Sequence, residues 1–261
     1  MSSTPFTPQP IPPLPVPLWR QAARSLLARG RAVAAAALRP PTRRLNDADY
    51  GDWDRMTLRD WLDHHQREIV FSQCRWMGIP MLKSPLDSWI YQEIIAETRP
   101  QVLVEIGSHS GGSTLYFAQL FDLLGEGEVL SLDIDRSRYQ AVHPRITEIT
   151  GDCADPAIVA QVAARCAGKR TMVIHDADHL RASVLRDLEL YGPLVSPGCY
   201  LIVEDGILDL FPASDHFGHL EEGPLPAIDD FVARHPEFQV DKDRERYLMT
   251  YSPRGFLKRL G

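Results

Sequence analysis

A chain of 261 residues with 44% hydrophobic side chains can bury one sizeable core, and is read as one catalytic domain plus an N-terminal extension. Its formal net charge of −7 is uneven: residues 1–44 carry seven arginines and no acid, and the remainder carries 21 basic against 35 acidic side chains. That acidic body excludes broad nucleic-acid binding, and no apolar run reaches the ~18 residues of a membrane-spanning helix.

Residues 1–17 hold seven prolines and are expected to be extended or disordered. Residues 18–38, LWRQAARSLLARGRAVAAAAL, have the composition of a basic amphipathic helix, which suits a partner or a membrane surface. A docking or flexible arm is the expected role, with membrane contact the lesser alternative. Pro40–Pro41 end this helix, so the arm is bounded at 1–45 and the domain at 46–261. Four scattered cysteines without a C-x-x-C pair, and no secretory pattern at the N-terminus, lead us to expect reduced thiols in the cytoplasm.

From residue 57 the pattern becomes globular. TLRDWLDHHQREIVFSQ and PLDSWIYQEIIAETRP read as helices, and the chain then alternates strand and helix. VLVEIG (102–107), EVLSLDID (128–135), ITEITGD, RTMVIHDAD (170–178) and CYLIVEDG (199–206) read as parallel strands. The tail, from AIDDFVARHP onward, reads as a helix followed by antiparallel edge strands. Segment 207–226 lacks periodicity and is expected to cover a substrate as a lid. The expected fold is therefore α/β, a Rossmann-like sheet, mostly parallel with an antiparallel C-terminal edge, plus an N-terminal helical extension.

After the first strand, Glu105-Ile-Gly107-Ser108-His109-Ser110-Gly111-Gly112-Ser113 turns into a helix. Glycines there let backbone approach a ligand, but the spacing is not the G-x-G-x-x-G of dinucleotide binders. Asp133 ends the second strand, where an acid can accept both ribose hydroxyls. Gly151-Asp152-Cys153, after the third, would face an adenine edge. Together these predict a nucleoside cofactor held by Glu105, Gly107, Ser108, Ser113, Asp133, Gly151, Asp152 and Cys153. His109 is read as a lining residue rather than a catalyst.

His175-Asp176-Ala177-Asp178-His179 closes one strand and Glu204-Asp205 the next. Ligands of open α/β sheets bind beyond the carboxyl ends of strands, so these acids should converge. Clustered carboxylates repel one another unless a cation neutralises them, and their oxygens suit Mg2+ or a similar hard ion. A nearby imidazole titrates near neutrality and can take a hydroxyl proton as general base.

The stretches Trp76-Met-Gly-Ile-Pro, Lys83-Ser-Pro-Leu-Asp87, Tyr91-Gln-Glu, Glu105-Ile-Gly107 through Gly111-Gly112-Ser113, Asp176-Ala-Asp178-His179 and Tyr200-Leu-Ile-Val-Glu204-Asp205 resemble the cephalosporin hydroxylase and rhamnosyl O-methyltransferase family over about residues 70–256. The resemblance implies a class I methyltransferase using S-adenosylmethionine and a divalent metal, acting on a hydroxyl of a sugar on a glycoside, natural product or polysaccharide. It also implies a homo-oligomer, for which the basic arm and acidic body offer complementary charge. The core is similar to catechol O-methyltransferase as well, whose first metal-binding Asp precedes the acid pair by the 28 residues that separate Asp176 from Glu204. That resemblance implies Asp176, Glu204 and Asp205 as metal ligands, with Asp178 behind them. His179 takes the place of the catechol enzyme's lysine, which implies an alcohol acceptor and His179 as catalytic base. Gly206 departs from the hydroxyl residue expected after the acid pair.

Two other readings stand beside this one. A methyltransferase-fold protein can serve as a non-catalytic partner. Hydroxylation of a natural product would need an iron site, for which His219, Glu221 and His235 offer the residue types. Trp53, Trp61 and Trp76 are expected mostly to pack.

Overall fold

The computed structural model describes residues 57–210 and 222–261. The arm at 1–45, Trp53 and the middle of the expected lid, with His219 and Glu221, lie outside the described residues.

Thr57 opens helix α1 (Leu58–His64) with a reciprocal cap: its Oγ1 accepts the Asp60 amide at 3.1 Å, and Asp60 accepts the Thr57 amide at 3.2 Å. The uniform helix expected across 57–73 widens into a π-helical stretch, His65–Val70, before a last α-turn, Phe71–Gln73. Apolar spacing at period 3.6 does not encode such a local widening. His65 stacks on Trp61 with ring centroids 4.3 Å apart, and its Nδ1 lies 2.7 Å from the Tyr251 hydroxyl.

Strands β1 (Arg75–Trp76) and β2 (Ile79–Pro80) form an antiparallel hairpin across the two-residue turn Met77–Gly78. Trp76 packs, as expected: its Nε1 donates to Gln119 Oε1 at 2.7 Å, and its ring meets Tyr116 edge-on. Helix α2 (Pro85–Thr98) leads into the main sheet.

That sheet contains β3 (Val102–Ile106), β4 (Glu128–Asp133), β5 (Ile146–Thr150), β6 (Thr171–His175), β7 (Tyr200–Val203), β8 (Phe238–Val240) and β9 (Phe256–Arg259). Helices α3 (Gly112–Leu124), α4 (Pro156–Cys166), α5 (Arg181–Tyr191) and α6 (Pro224–Arg234) alternate with them. The strand order is β5-β4-β3-β6-β7-β9-β8; the first five are parallel, and β9 runs antiparallel to both its neighbours. The α/β expectation, including the antiparallel C-terminal edge, is met. Strands β3, β6 and β7 are buried along their whole length, which is why they read as unbroken apolar runs. Tyr91, Phe117, Phe231 and Phe256 fill the space between sheet and helices.

The chain leaves β3 for β4 on one side, while β6 pairs with β3 on the other. A crevice therefore opens beyond their carboxyl ends. Gly107 sits at this switch point with φ +89°; a Cβ there would lie 1.9 Å from the Asp176 carbonyl oxygen. The residue after β3 and the residue after β6 are thus in backbone contact, reinforced by the Asp176 amide donating to Ile106 at 2.8 Å. Among the described residues, no helix is long and apolar enough to cross a membrane.

Candidate active site

The crevice is a cavity of about 580 Å³. Six of the eight expected cofactor residues line it: Gly107, Ser108, Ser113, Asp133, Gly151 and Cys153. Asp133 organises the loop. Its Oδ2 accepts the amides of Ser108 and His109, each at 2.8 Å, and its Oδ1 accepts the Asp135 amide at 3.0 Å. A carboxylate has about four acceptor sites, so Asp133 retains capacity for a ligand hydroxyl. His109 lines the cavity and is held at φ +44°, a conformation uncommon outside glycine.

Glu105 and Asp152 are not among the described residues lining the cavity. Glu105 is fully buried beneath the loop, where the hydroxyls of Ser113 and Thr114 donate to it. Its work is to tie the first turn of α3 to β3. Asp152 is exposed, and its Oδ1 accepts the Ala154 amide at 2.9 Å in the turn before α4.

The acids from the two strand ends open into the same cavity. Asp176 follows β6; Asp205 follows β7 in a left-handed conformation, φ +58°, that is strained for a non-glycine residue. One ligand atom each from Asp176, His179 and Asp205 lie within 4.8 Å of one another. His179 Nε2 is 2.7 Å from Asp205 Oδ2 and 3.7 Å from Asp176 Oδ1. Burial opposes charge on this imidazole, but its contacts with Asp176 and Asp205 outweigh burial and raise its pKa well above the ordinary 6.5.

Glu204 is buried next to this group and bonds elsewhere. Lys83 Nζ donates to Glu204 Oε1 at 2.6 Å and to Asp176 Oδ2 at 2.7 Å. Burial raises the Glu204 pKa well above its usual value, and Lys83 offsets only part of that. Asp176 is also buried, yet Lys83 and His179 hold it below the ordinary carboxylate range. Oxygens of Asp176 and Asp205 beside the His179 nitrogen form a group that could hold a hard divalent ion. Asp176 and Asp205 belong to this group directly, whereas Glu204 lies outside it with its Oε1 paired to Lys83.

Several lining residues carried no assigned role from sequence. Lys83 appears there only as the first residue of a resembling stretch. Ile134, next to Asp133, is 71% exposed and borders the cavity as a bare apolar surface. Phe71, Pro80 and Leu82 line it from the N-terminal segment. Pro80 and Lys83 had one signal, the stretches Trp76–Pro80 and Lys83–Asp87, which stood as motifs of resemblance without any chemistry attached; Phe71, Leu82 and Ile134 had none. Asp178 lines the cavity too, and its Oδ1 accepts the Leu180 amide ahead of α5. His235 is committed elsewhere, with Nε2 2.8 Å from Glu189, Nδ1 3.1 Å from Glu237 and its ring stacked on Phe231.

A nucleoside-sized crevice at the switch point of this sheet, with an acid on the adjoining strand, is the build of a class I S-adenosylmethionine-dependent methyltransferase. The family model described as Rhamnosyl O-methyltransferase/CmcI matches residues 68–260. The rhamnosyl O-methyltransferase of Mycobacterium leprae is 37% identical over 199 residues, covering 73% of this chain and 85% of that protein. Its counterpart in Mycobacterium tuberculosis H37Rv is 34% identical over 203 residues, covering 73% of this chain and 80% of the relative. This chain belongs to the Rhamnosyl O-methyltransferase/CmcI family and is an O-methyltransferase. A solved structure of CmcI with Mg and S-adenosylmethionine shares the fold, with a TM-score of 0.58, 23% identity, and coverage of 86% of this chain and 88% of that one.

Proposed function

We propose that the protein transfers the methyl group of S-adenosylmethionine to a hydroxyl of a sugar, borne on a glycoside, natural product or polysaccharide, with the help of one magnesium-like ion. The observation that carries this reading is the joining of two half-sites in one cavity: the glycine loop with Asp133 on one wall, and Asp176, His179 and Asp205 on the other. The rhamnosyl O-methyltransferases named above support a sugar as the acceptor.

Asp133 takes the ribose hydroxyls while keeping the Ser108 and His109 amides aligned. Gly151, Cys153 and Ile134 bound the adenine, and Gly107, Ser108 and Ser113 border the methionine portion. Asp176, Glu204 and Asp205 hold the divalent ion, which when bound lowers the proton affinity of a sugar hydroxyl that water alone leaves unreactive. His179 takes that proton through its other ring nitrogen, Nδ1, because Nε2 faces Asp205 Oδ2 at 2.7 Å and holds the imidazole in place. Phe71, Pro80 and Leu82 place an apolar wall beside the reacting hydroxyl, keeping water from it.

The reading is tested by incubating the protein with S-adenosylmethionine, Mg2+ and sugar-bearing acceptors, and following product mass. A gain of one methyl on a sugar oxygen is expected. S-Adenosylmethionine left unconsumed with every acceptor would overturn the reading. Asp133→Ala should also weaken cofactor binding by about 1.5–3 kcal/mol in calorimetry, the range for a charge-assisted hydrogen bond. Unchanged affinity would remove Asp133 from the cofactor site.

The same reading makes the protein a cytoplasmic homo-oligomer. Its four free cysteines support a reducing compartment, and the basic arm on an acidic body supports self-association. Light scattering at micromolar concentration should give at least twice the mass of one chain; a single-chain mass would refute the oligomer.

A further inference from the structure

We propose that Lys83 is the fixed positive charge that sets the valence of the ion this site accepts. The inference rests on the metal-dependent reading above and deepens it.

The side chain is 2% exposed and comes from the segment just before α2, 93 residues before Asp176 in sequence. A lysine stem is seldom withdrawn from water without cause, because its ammonium is strongly hydrated. Here the ammonium bridges Asp176 and Glu204 at 2.7 and 2.6 Å, which are two of the three acids assigned to the ion. Burial works against its charge, but Asp176 and Glu204, with Glu105 further away, outweigh burial and raise its pKa.

The charge account follows from these residues. With His179 neutral, as its role as base requires, Asp176, Glu204 and Asp205 carry three negative charges when all are ionised, and Lys83 carries one positive charge. Two further positive charges complete neutrality, and a divalent ion supplies two. Without the ammonium the balance would require three, the charge of a lanthanide. Uncompensated charge is costly in a buried site, so the lysine discriminates between ions by charge as well as by size. Lys83 is thus a positioning residue that holds two acids and fixes the net charge they present; it touches neither reacting atom.

The test uses the full chain with Mn2+ and Tb3+ as probes, one at a time, read by Mn2+ paramagnetic resonance and Tb3+ luminescence. For Lys83→Met, the preference for Tb3+ over Mn2+ should rise by about tenfold or more relative to the wild type. In Lys83→Met/Glu204→Gln, one positive and one negative charge are removed together, so the preference should return toward the wild-type ratio. If Lys83→Met does not fold while the double variant does, the charge account is supported equally, because removing the excess acid rescues the fold.

An ion preference that stays within about twofold across folded variants would overturn the proposal, as would failure of the double variant to fold. Wild-type protein that binds neither ion would instead strike at the metal-dependent function itself. Binding of both ions with an unshifted preference strikes at Lys83 alone.

Discussion

Asp176→Asn is expected to remove metal binding and methyl transfer together, lowering turnover by roughly 10³-fold or more, since a catalytic ion supplies several kcal/mol of charge stabilisation. The size of the effect follows from where Asp176 sits. It faces His179 on one side, receives Lys83 on the other, and its backbone presses against Gly107. Loss of its charge leaves Lys83 with a single partner and Asp205 as the remaining acid beside His179. Calorimetric titration with Mg2+, set beside single-turnover rates, checks both halves. A variant that still binds Mg2+ with wild-type affinity would displace Asp176 from the ligand set. Exhaustive chelation of the unaltered protein should have the same kinetic effect, and full activity after chelation would leave the metal role untenable.

His179→Ala should be milder and different in kind, with turnover falling about 10²–10⁴-fold while metal and cofactor affinities persist. Without the imidazole Lys83 still bridges Asp176 to Glu204, so two of the three acids keep their alignment. Near-wild-type turnover in this variant would assign the base elsewhere. The raised pKa of His179 also sets a pH trend for chelated protein. A group whose folded pKa lies above its unfolded value stabilises most below the unfolded value, here 6.5, and its contribution is lost as pH rises through the higher folded value. Chelated wild-type protein should therefore lose thermal stability as pH climbs above neutrality. His179→Ala should show a flatter profile over the same range, and identical profiles for the two would contradict the assignment.

The sheet was legible because parallel strands covered on both faces must be apolar throughout, and β3, β6 and β7 carry that signature without interruption. Asp133, Asp176 and Asp205 were legible for a related reason: an acid ending a buried strand has few places to point other than the crevice. Glu105 was assigned to the cofactor by its nearness in sequence to the glycine loop. Its partners Ser113 and Thr114 lie one turn into α3, a pairing across eight and nine residues that strand patterning does not reveal. Lys83 was missed because nothing local marks a lysine as buried; its burial arises from two acids 93 and 121 residues further along the chain. The π-helical widening at His65–Val70 and the tight hairpin at Met77–Gly78 were missed as well, since both depend on tertiary contacts more than on period.

The small apolar cluster of Val70, Ile207, Leu208 and Tyr251, with Leu62 and Cys74 against it, is separate from the main core. It joins the N-terminal helical segment to the turn after Asp205, so one side of the cavity is fastened by a unit of its own. Separately fastened units open independently of the global fold, and hydrogen exchange resolves them as distinct cooperative blocks. For protein engineering, the segment carrying Phe71, Pro80 and Leu82 can be diversified to change which acceptors enter, while the strands bearing Asp133, Asp176 and Asp205 stay as they are. Acceptor range and methyl-transfer chemistry thereby become separable traits, open to selection one at a time.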